Sequence, residues 1–264
     1  MNFVYKSIIG LISNFGVYLV RKTTKKDVLN LINKLKPINT NLSLLRLGCK
    51  NDGGYLIPND LSGINYCFSP GVDTKAEFEL DCANLGMKVF LADASVESPP
   101  LEHNNFIFTK KYIGASNSDN FITIDHWVNN SISKLLSDDI LIQMDIEGYE
   151  YEVILNMSEA LINRTRIFIV EFHNLQHIWN KQFFQIINSA INKILQNHLC
   201  VHIHPNNCCG LTKIQGIDFP KVLEVTFIRK DRVQNTFGFS KIPNKLDASC
   251  TDHKEIKLSK LWTS

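Results

Sequence analysis

Short apolar segments rich in Val, Ile and Phe alternate with helix-periodic segments from residue 64 onward, and this alternation restricts the fold more than any other feature of the sequence. It is typical of βαβ units, in which parallel strands form one sheet and helices cover its faces. The last apolar segment follows a long loop and is predicted to add to the sheet as an antiparallel edge. We therefore expect a doubly wound, mostly parallel seven-stranded α/β domain. Its predicted strands are residues 64–69, 87–92, 105–113, 140–145, 167–172, 199–204 and 222–229.

Two connecting segments carry a helical period. Residues 74–86 place Ala76, Leu80 and Ala83 on one face and end at Gly86. Residues 179–198 repeat apolar side chains at three- and four-residue spacing, at Phe183, Ile187, Ala190, Ile191 and Ile194. We find no internal repeat and no low-complexity linker. Residues 41–264 are therefore expected to form one domain, preceded by an N-terminal helical extension at residues 1–40.

The overall charge and the cysteines restrict the class of partner. The 264 residues include 28 basic and 26 acidic side chains, a formal net charge of +2. A nearly neutral chain provides no general attraction for a phosphate backbone, so we expect a small-molecule partner and no nucleic acid. The seven cysteines form no CxxC pair. With no recognisable secretion signal, they indicate a reduced, cytoplasmic protein.

The N-terminal segment carries most of the positive charge. Residues 1–36 contain seven basic side chains and the single acid Asp27. The apolar residues 8–20 are too few to span a bilayer with confidence, because a spanning helix needs about 20. Followed by Arg21, Lys22, Lys25 and Lys26, they are compatible with two interpretations, of which one is peripheral contact of residues 1–26 with an anionic membrane. The alternative is a helix packed on its own domain.

The carboxyl ends of the strands are where a ligand binds in an open α/β sheet. The first strand is followed by the sequence SPGVDT, in which Gly71 permits close backbone approach. Asp93 ends the second strand, about 22 residues later, at the spacing of a carboxylate that binds a ribose diol. This pattern indicates an adenosine-containing cofactor, although an ordinary strand-to-helix turn also accounts for SPGVDT.

Acids and imidazoles follow three further strands. Asp145 and Glu147 end the fourth strand, and the next helix begins with Glu150 and Glu152, which we interpret as surface residues that complement the helix dipole. The neighbouring strands contribute Glu171, His173, His202, His204 and Asn206, and His202 is interpreted as structural. Converging acids and imidazoles form either a proton-transfer site or a divalent metal site.

These motifs resemble the FkbM-type S-adenosylmethionine-dependent methyltransferases over residues 46–230. The most specific segments are ILIQMDIEGYEYEVI with IFIVEFH, and CFSPGVDTKAEFE with LADAS is similar to that family's cofactor loop and ribose acid. The resemblance implies a Rossmann-like class I fold. In this fold Ser69 and Gly71 would line the cofactor, and Asp93 would hold its ribose. Asp145 and Glu147 would face the transferred methyl group. It also implies that Asp125 of the TID motif borders the adenine and that one loop closes over the cofactor's amino-acid end, with Asp52, Gly53, Gly54 and Tyr55.

The implied reaction is attack of a substrate hydroxyl on a methyl group, with a base that removes the proton. His173 is the first candidate base, oriented by Glu171 or Asp145, and His204 is the second. In a metal-dependent version, Asp145, Glu147 and His173 bind a divalent ion such as Mg²⁺ or Mn²⁺.

Three functions remain open from the sequence. The first is an O-methyltransferase that acts on a sugar or similar glycan-like acceptor. The second is a metal-dependent hydrolase that uses the same Asp, Glu and His residues. The third is a catalytically silent cofactor-binding protein.

Overall fold

The computed structural model describes residue 10, residues 12–132 and residues 138–263. Its helices are α1 (Lys25–Leu35), α2 (Glu77–Asn84), α3 (Ile124–Ser131), α4 (Glu150–Asn156), α5 (Glu159–Arg164), α6 (Lys181–Asn197) and α7 (Lys260–Thr263). Its strands are β1 (Ile38–Thr40), β2 (Leu44–Leu47), β3 (Tyr55–Pro58), β4 (Tyr66–Pro70), β5 (Lys88–Ala92), β6 (Phe106–Thr109), β7 (Tyr112–Gly114), β8 (Phe121–Thr123), β9 (Ile140–Met144), β10 (Thr165–Phe172), β11 (His198–Pro205), β12 (Leu211–Ile214), β13 (Ile217–Pro220), β14 (Leu223–Arg229) and β15 (Thr236–Phe239).

The central sheet has the order β11-β14-β10-β9-β4-β5-β6. Strands β6, β5, β4, β9 and β10 are parallel, and β14 is antiparallel to both of its neighbours. Each of the seven predicted strands therefore has a counterpart in the sheet, although the predicted strand 105–113 is divided into β6 and β7, and β7 pairs with β8 outside the central sheet. The doubly wound α/β fold is confirmed. Strand order reverses between β4 and β9, so the crevice for a ligand opens at their carboxyl ends.

The position of β14 corrects one expectation. This strand was predicted at the edge of the sheet, but it lies between β10 and β11 and pairs with each along its length. Its side chains are buried from Leu223 to Ile228. Because successive side chains point to opposite faces of a sheet, burial of consecutive residues requires cover on both faces, and an interior position provides it.

Side chains of each central strand alternate between two hydrophobic clusters. Phe68 and Ile142 belong to the cluster on one face, whereas Cys67 and Leu141 belong to the cluster on the other. Helix α6 covers the first face with the predicted Ile187, Ala190, Ile191 and Ile194, although Phe184 rather than Phe183 is fully buried. Helix α2 covers the second with Phe78 and Cys82.

Helix α1 is part of the same core. Thr24 caps its first turn, and Val28, Leu31, Ile32 and Leu35 are buried in the cluster that includes α6. Residues 25–40, which the sequence analysis assigned to the extension, are thus continuous with the domain in packing. The predicted apolar run 8–20 lies partly outside the described residues. None of the helices within the described ranges has the length and hydrophobicity needed to cross a bilayer.

Candidate active site

A cavity of about 620 Å³ opens at the carboxyl ends of β4, β5 and β9. This volume is in the range of small-molecule sites. Of the residues predicted from the sequence, seven line it: Asp52, Gly53, Tyr55, Gly71, Asp93, Asp145 and Glu147. The sheet topology therefore brings together side chains from four separate segments of the chain.

Gly71 marks a close backbone contact inside this cavity. Its φ is +85°, and a Cβ at this position would lie 1.5 Å from the backbone oxygen of Asp145. The backbone N–H of Asp145 donates to Pro70 O at 3.3 Å. Only glycine allows the loop after β4 to reach the end of β9 this closely. Gly71 thus sets the distance between the cofactor loop and the acids that follow β9.

Asp93 directly follows β5, and its carboxylate binds both the loop after β4 and the loop after β5. Its Oδ2 accepts from the backbone N–H of Asp73 at 3.0 Å, and its Oδ1 accepts from the backbone and hydroxyl of Ser95 at 2.7 and 2.6 Å. A carboxylate has about four acceptor positions, so one further hydrogen bond can reach it from the cavity. This is the chemistry required of a ribose-binding acid.

An ion pair closes one end of the cavity. Lys75 Nζ lies 3.0 Å from Asp52 Oδ2, and both side chains line the cavity. The loop with Asp52 is held by Arg46, which donates to the backbone oxygens of Cys49 and Asn51. Gly54 does not line the cavity, because it packs against the backbone of Cys49. Lys75 was not predicted from the sequence, since a single lysine after a turn carries no motif.

His173 stands at the centre of the acids that follow β9. Its Nδ1 lies 3.0 Å from Glu150 Oε1, and its Nε2 lies 3.5 Å from Glu147 Oε2 and 3.8 Å from Asp145 Oδ1. The ring is therefore oriented by Glu150, and Glu171 instead accepts from Asn206 Nδ2 at 2.8 Å. The chain turns after Phe172, so the two-residue spacing does not place Glu171 and His173 together.

Glu150 corrects the sequence analysis, which assigned it to the surface with Glu152. Its side chain is fully buried, whereas Glu152 is exposed. Glu147 and Gly148 both have positive φ, and this turn directs the N–H groups of Ile146 and Gly148 toward the Glu150 carboxylate. In the sequence, a buried acid at the start of a helix looks the same as an exposed one, so the burial of Glu150 could not be predicted.

Burial and charge set the protonation of this cluster. Burial raises the pKa of Asp145; the charge of His173 offsets part of the rise, Glu147 and Glu150 add to it, and the pKa reaches about 7. Burial lowers the pKa of His173, but the hydrogen bond and charge of Glu150, with Asp145 and Glu147, raise it to about 9. At neutral pH the ring is therefore protonated, and Asp145 is the group that titrates.

Three predicted site residues lie elsewhere. Ser69 is buried behind the cavity wall, where its hydroxyl hydrogen-bonds to Glu79 and Gln143. Asp125 binds the backbone N–H and the hydroxyl of Ser158 and so supports the start of α5. His204 does not line the cavity, because β14 and β10 separate its strand from β9.

The cavity mouth contains residues that the sequence did not single out. Tyr112, Phe121 and Tyr149 form an aromatic row with ring centroids 5.5 and 6.1 Å apart. Tyr112 and Tyr149 are 41% and 48% exposed. These rings come from three separate segments, so no local pattern links them.

The sequence was compared with known families and structures. Residues 26–198, well over half of the chain, match the methyltransferase FkbM domain family. No curated protein matches the chain in sequence.

Two solved structures are distantly similar. One is described as a DNA modification methyltransferase encoded within a prophage (E. coli), with 10% identity, a TM-score of 0.40, and coverage of 63% of this chain and 47% of that chain. This chain thus spans about half the length of that protein. The other is magnesium protoporphyrin IX methyltransferase from Synechocystis PCC 6803 with bound SAH, with 14% identity, a TM-score of 0.32, and coverage of 65% and 76%.

Proposed function

We propose, from the premise that this chain belongs to the FkbM methyltransferase family, that it transfers the methyl group of S-adenosylmethionine to a hydroxyl of a sugar or glycan-like acceptor. The observation that carries the proposal is the single cavity that both Asp93 and Asp145 line. A ribose-binding acid and a titrating carboxyl are thereby combined in one chamber. S-adenosylmethionine supplies an electrophilic methyl group when it is bound there.

The residues present fit this cofactor. Asp93 would accept from a ribose hydroxyl. The Asp52–Lys75 pair carries one charge of each sign, which matches the ammonium and carboxylate of an amino acid. Gly53 and Tyr55 line the same end of the cavity. These groups would hold the cofactor without any motion of the sheet.

Proton removal falls to the acids after β9. Asp145 lines the cavity and its side chain is 25% exposed, so the carboxylate can meet a substrate hydroxyl there. A base with a pKa near the working pH combines a usable ionised fraction with sufficient basicity. Asp145, whose pKa is about 7, meets this condition, and the His173 cation beside it stabilises its ionised form.

The cavity mouth supports a carbohydrate acceptor over a nucleic acid. The rings of Tyr112, Phe121 and Tyr149 offer flat apolar faces of the kind that pack on the C–H face of a sugar, and the Tyr hydroxyls remain free to hydrogen-bond. The charged residues of the cavity lining are mostly acidic, with Asp52, Asp73 and Glu147 near a single lysine. Such a lining repels a phosphate backbone.

A metal-dependent version has one observation in its favour. Asp145, Glu147 and His173 each offer a ligand atom, and these atoms lie within 4.8 Å of one another. A divalent ion such as Mg²⁺ or Mn²⁺ held there would acidify the acceptor hydroxyl in place of a base. A bound ion would have to displace the proton of His173, so metal binding in this version would release a proton.

The proposed function is tested by binding and turnover together. S-adenosylhomocysteine at 100 times its dissociation constant is expected to add about 2.7 kcal/mol to the free energy of unfolding, measured by thermal denaturation. Incubation with S-adenosylmethionine and a panel of oligosaccharides should give a product one methylene heavier by mass spectrometry, with activity insensitive to EDTA. Activity restored by Mg²⁺ or Mn²⁺ after EDTA would favour the metal version. Binding without turnover would identify a silent binding protein, and absence of both would support a hydrolase.

We also propose that the N-terminal segment contacts an anionic membrane surface, and a cytoplasmic location stays a prediction. Phe15, Val17, Tyr18, Leu19 and Val20 are all more than half exposed. They precede the exposed cations Arg21, Lys22, Lys25 and Lys26. An apolar stretch beside cations suits an anionic interface, at about 1 kcal/mol per basic residue.

We expect the Phe15→Ser, Tyr18→Ser double variant to cosediment less with phosphatidylserine-containing vesicles than the unmodified chain. Binding of the unmodified chain should also weaken with rising salt. Phe237→Ser is the matched control, because Phe237 is similarly exposed but lies far along the chain in β15. Equal sedimentation of all three proteins would refute the membrane contact.

A further inference from the structure

A second polar cluster lies at the other end of the sheet, outside the cavity. Glu171, Glu224 and His204 stand directly opposite one another on the adjacent strands β10, β14 and β11. Opposite residues on paired strands share one face of the sheet, so these side chains form a row. Cys250, from the C-terminal segment (residues 240–259), joins the row with its thiol 3.1 Å from Glu224 Oε1.

The cluster is buried, and its acids have no lysine or arginine within ion-pair distance. His204, Glu224 and Cys250 are 6%, 7% and 7% exposed, and Glu171 is 3% exposed. Among the described residues, no Lys or Arg forms an ion pair with Glu171 or Glu224. Burial raises the pKa of Glu224, and the charges of His204, His202 and Arg46 offset part of the rise; burial also raises the pKa of Cys250. Buried acids and thiols are costly unless their charge is balanced, and a bound cation would balance it here.

The histidine is already arranged as a metal ligand. Its Nδ1 faces Asp247 Oδ2 at 3.8 Å, and its Nε2 is buried with no hydrogen-bond partner among the described residues. Metal-binding histidines usually present one nitrogen to a carboxylate, which fixes the tautomer, and the other to the ion. Glu171 Oε2 is likewise buried without a partner.

We propose that His204, Glu224 and Cys250 bind one zinc ion, which fastens the C-terminal segment to the sheet. Each residue offers one ligand atom, and the three atoms lie within 4.8 Å of one another. Ligand atoms around tetrahedral zinc lie roughly 3.5 Å apart, so adjustments on the order of 1 Å bring these three atoms to one ion and leave its fourth position to a water molecule. Thiolate with imidazole selects zinc over Mg²⁺ or Ca²⁺, and one thiolate with one carboxylate neutralises its charge.

The zinc site would also support the cavity. The backbone N–H of Asp52 donates to Cys250 O at 3.3 Å, so the loop that lines one end of the cavity rests on the residue that binds zinc. Thr251 and His253 are joined to β11 through Asn207. Removal of zinc is therefore expected to loosen the C-terminal segment first and the Asp52 loop with it.

The test uses the full chain purified from zinc-supplemented medium. We expect one zinc per chain by elemental analysis and a higher melting temperature with Zn²⁺ than after chelation. Replacement by Co²⁺ should produce a thiolate-to-cobalt charge-transfer band. Cys250→Ser should abolish the band, and Glu224→Gln should weaken zinc binding by at least about tenfold.

The Cys208→Ser, Cys209→Ser double variant is the matched control, because this neighbouring cysteine pair lies outside the cluster. It should keep the band and the zinc. The band also separates this site from Asp145, Glu147 and His173, which include no thiol. No zinc and no thermal effect of Zn²⁺ would overturn the proposal, as would a band that survives in Cys250→Ser. If Cys250→Ser does not fold, an unchanged zinc affinity in Glu224→Gln is equally decisive.

Discussion

Asp145→Asn is expected to slow methyl transfer about 10²–10⁴-fold while the affinity for S-adenosylhomocysteine changes little. The amide keeps the shape of the carboxyl, so the backbone contact between Asp145 O and Gly71 is preserved. The amide side chain of this variant cannot accept a proton from the substrate hydroxyl as a carboxylate can. Single-turnover kinetics with the methylated acceptor as product measure the rate, and calorimetry measures the affinity.

The pH dependence of the rate separates Asp145 from His173 as the base. A base acts when it has lost its proton, so the rate should rise with pH and level off above its pKa. For Asp145 the rise is centred near pH 7, and for His173 it would be centred near pH 9.

The His173→Gln variant is a second test of the assignment of Asp145 as the base. The positive charge of His173 lowers the pKa of Asp145, so its removal should move the rise in rate to higher pH. The variant should then recover activity in alkaline buffer. A large defect at every pH would instead make His173 the base, as the sequence first indicated. Glu152→Gln, at an exposed acid on α4, is the control and should match the unmodified chain.

Asp93→Ala is expected to weaken S-adenosylhomocysteine binding about 10- to 100-fold. A hydrogen bond to a charged group contributes about 1.5–3 kcal/mol, and loss of Asp93 leaves the ribose diol without its acceptor. Asp93 also binds Asp73 and Ser95, so part of the loss is expected to come from the loop. Ser95→Ala measures the share of one of these contacts, because it removes only the hydroxyl contact and keeps the two backbone ones.

A ligand without one ribose hydroxyl isolates the direct contact. In calorimetry, 2′-deoxy-S-adenosylhomocysteine should bind the unmodified chain more weakly than the parent ligand. Asp93→Ala should bind the two ligands almost equally, because the partner of the missing hydroxyl is gone. A variant that still discriminates fully between the ligands would show that Asp93 does not hold the ribose.

The sequence predicted where the strands lie in the chain, but it did not predict which strands are adjacent in the sheet. Apolar segments of the right length predicted all seven central strands, because backbone pairing and burial are recorded in local pattern. The place of β14 between β10 and β11 depends on long-range pairing instead. For the same reason, the sequence assigned α1 to an N-terminal extension, whereas its apolar face packs in the core of the domain.

The site divides in the same way. The polarity of a parallel sheet placed Gly71, Asp93 and Asp145 at one edge, and this followed from their positions after strands. Contact between Glu150 and His173 required a turn with two positive φ values and a fully buried acid.

The sequence by itself thus determined the strands, the class of fold and the sheet edge where the chemistry lies. Only the tertiary structure decided which side chains meet there. Ser69, Asp125 and His204 lie outside the cavity. Lys75 lines it, and Glu150 lies beside it in contact with His173. The physical reason is the separation along the chain between the residues that interact. Period and strand direction are properties of neighbouring residues, whereas the partner of a polar side chain is set by packing between segments far apart in the chain.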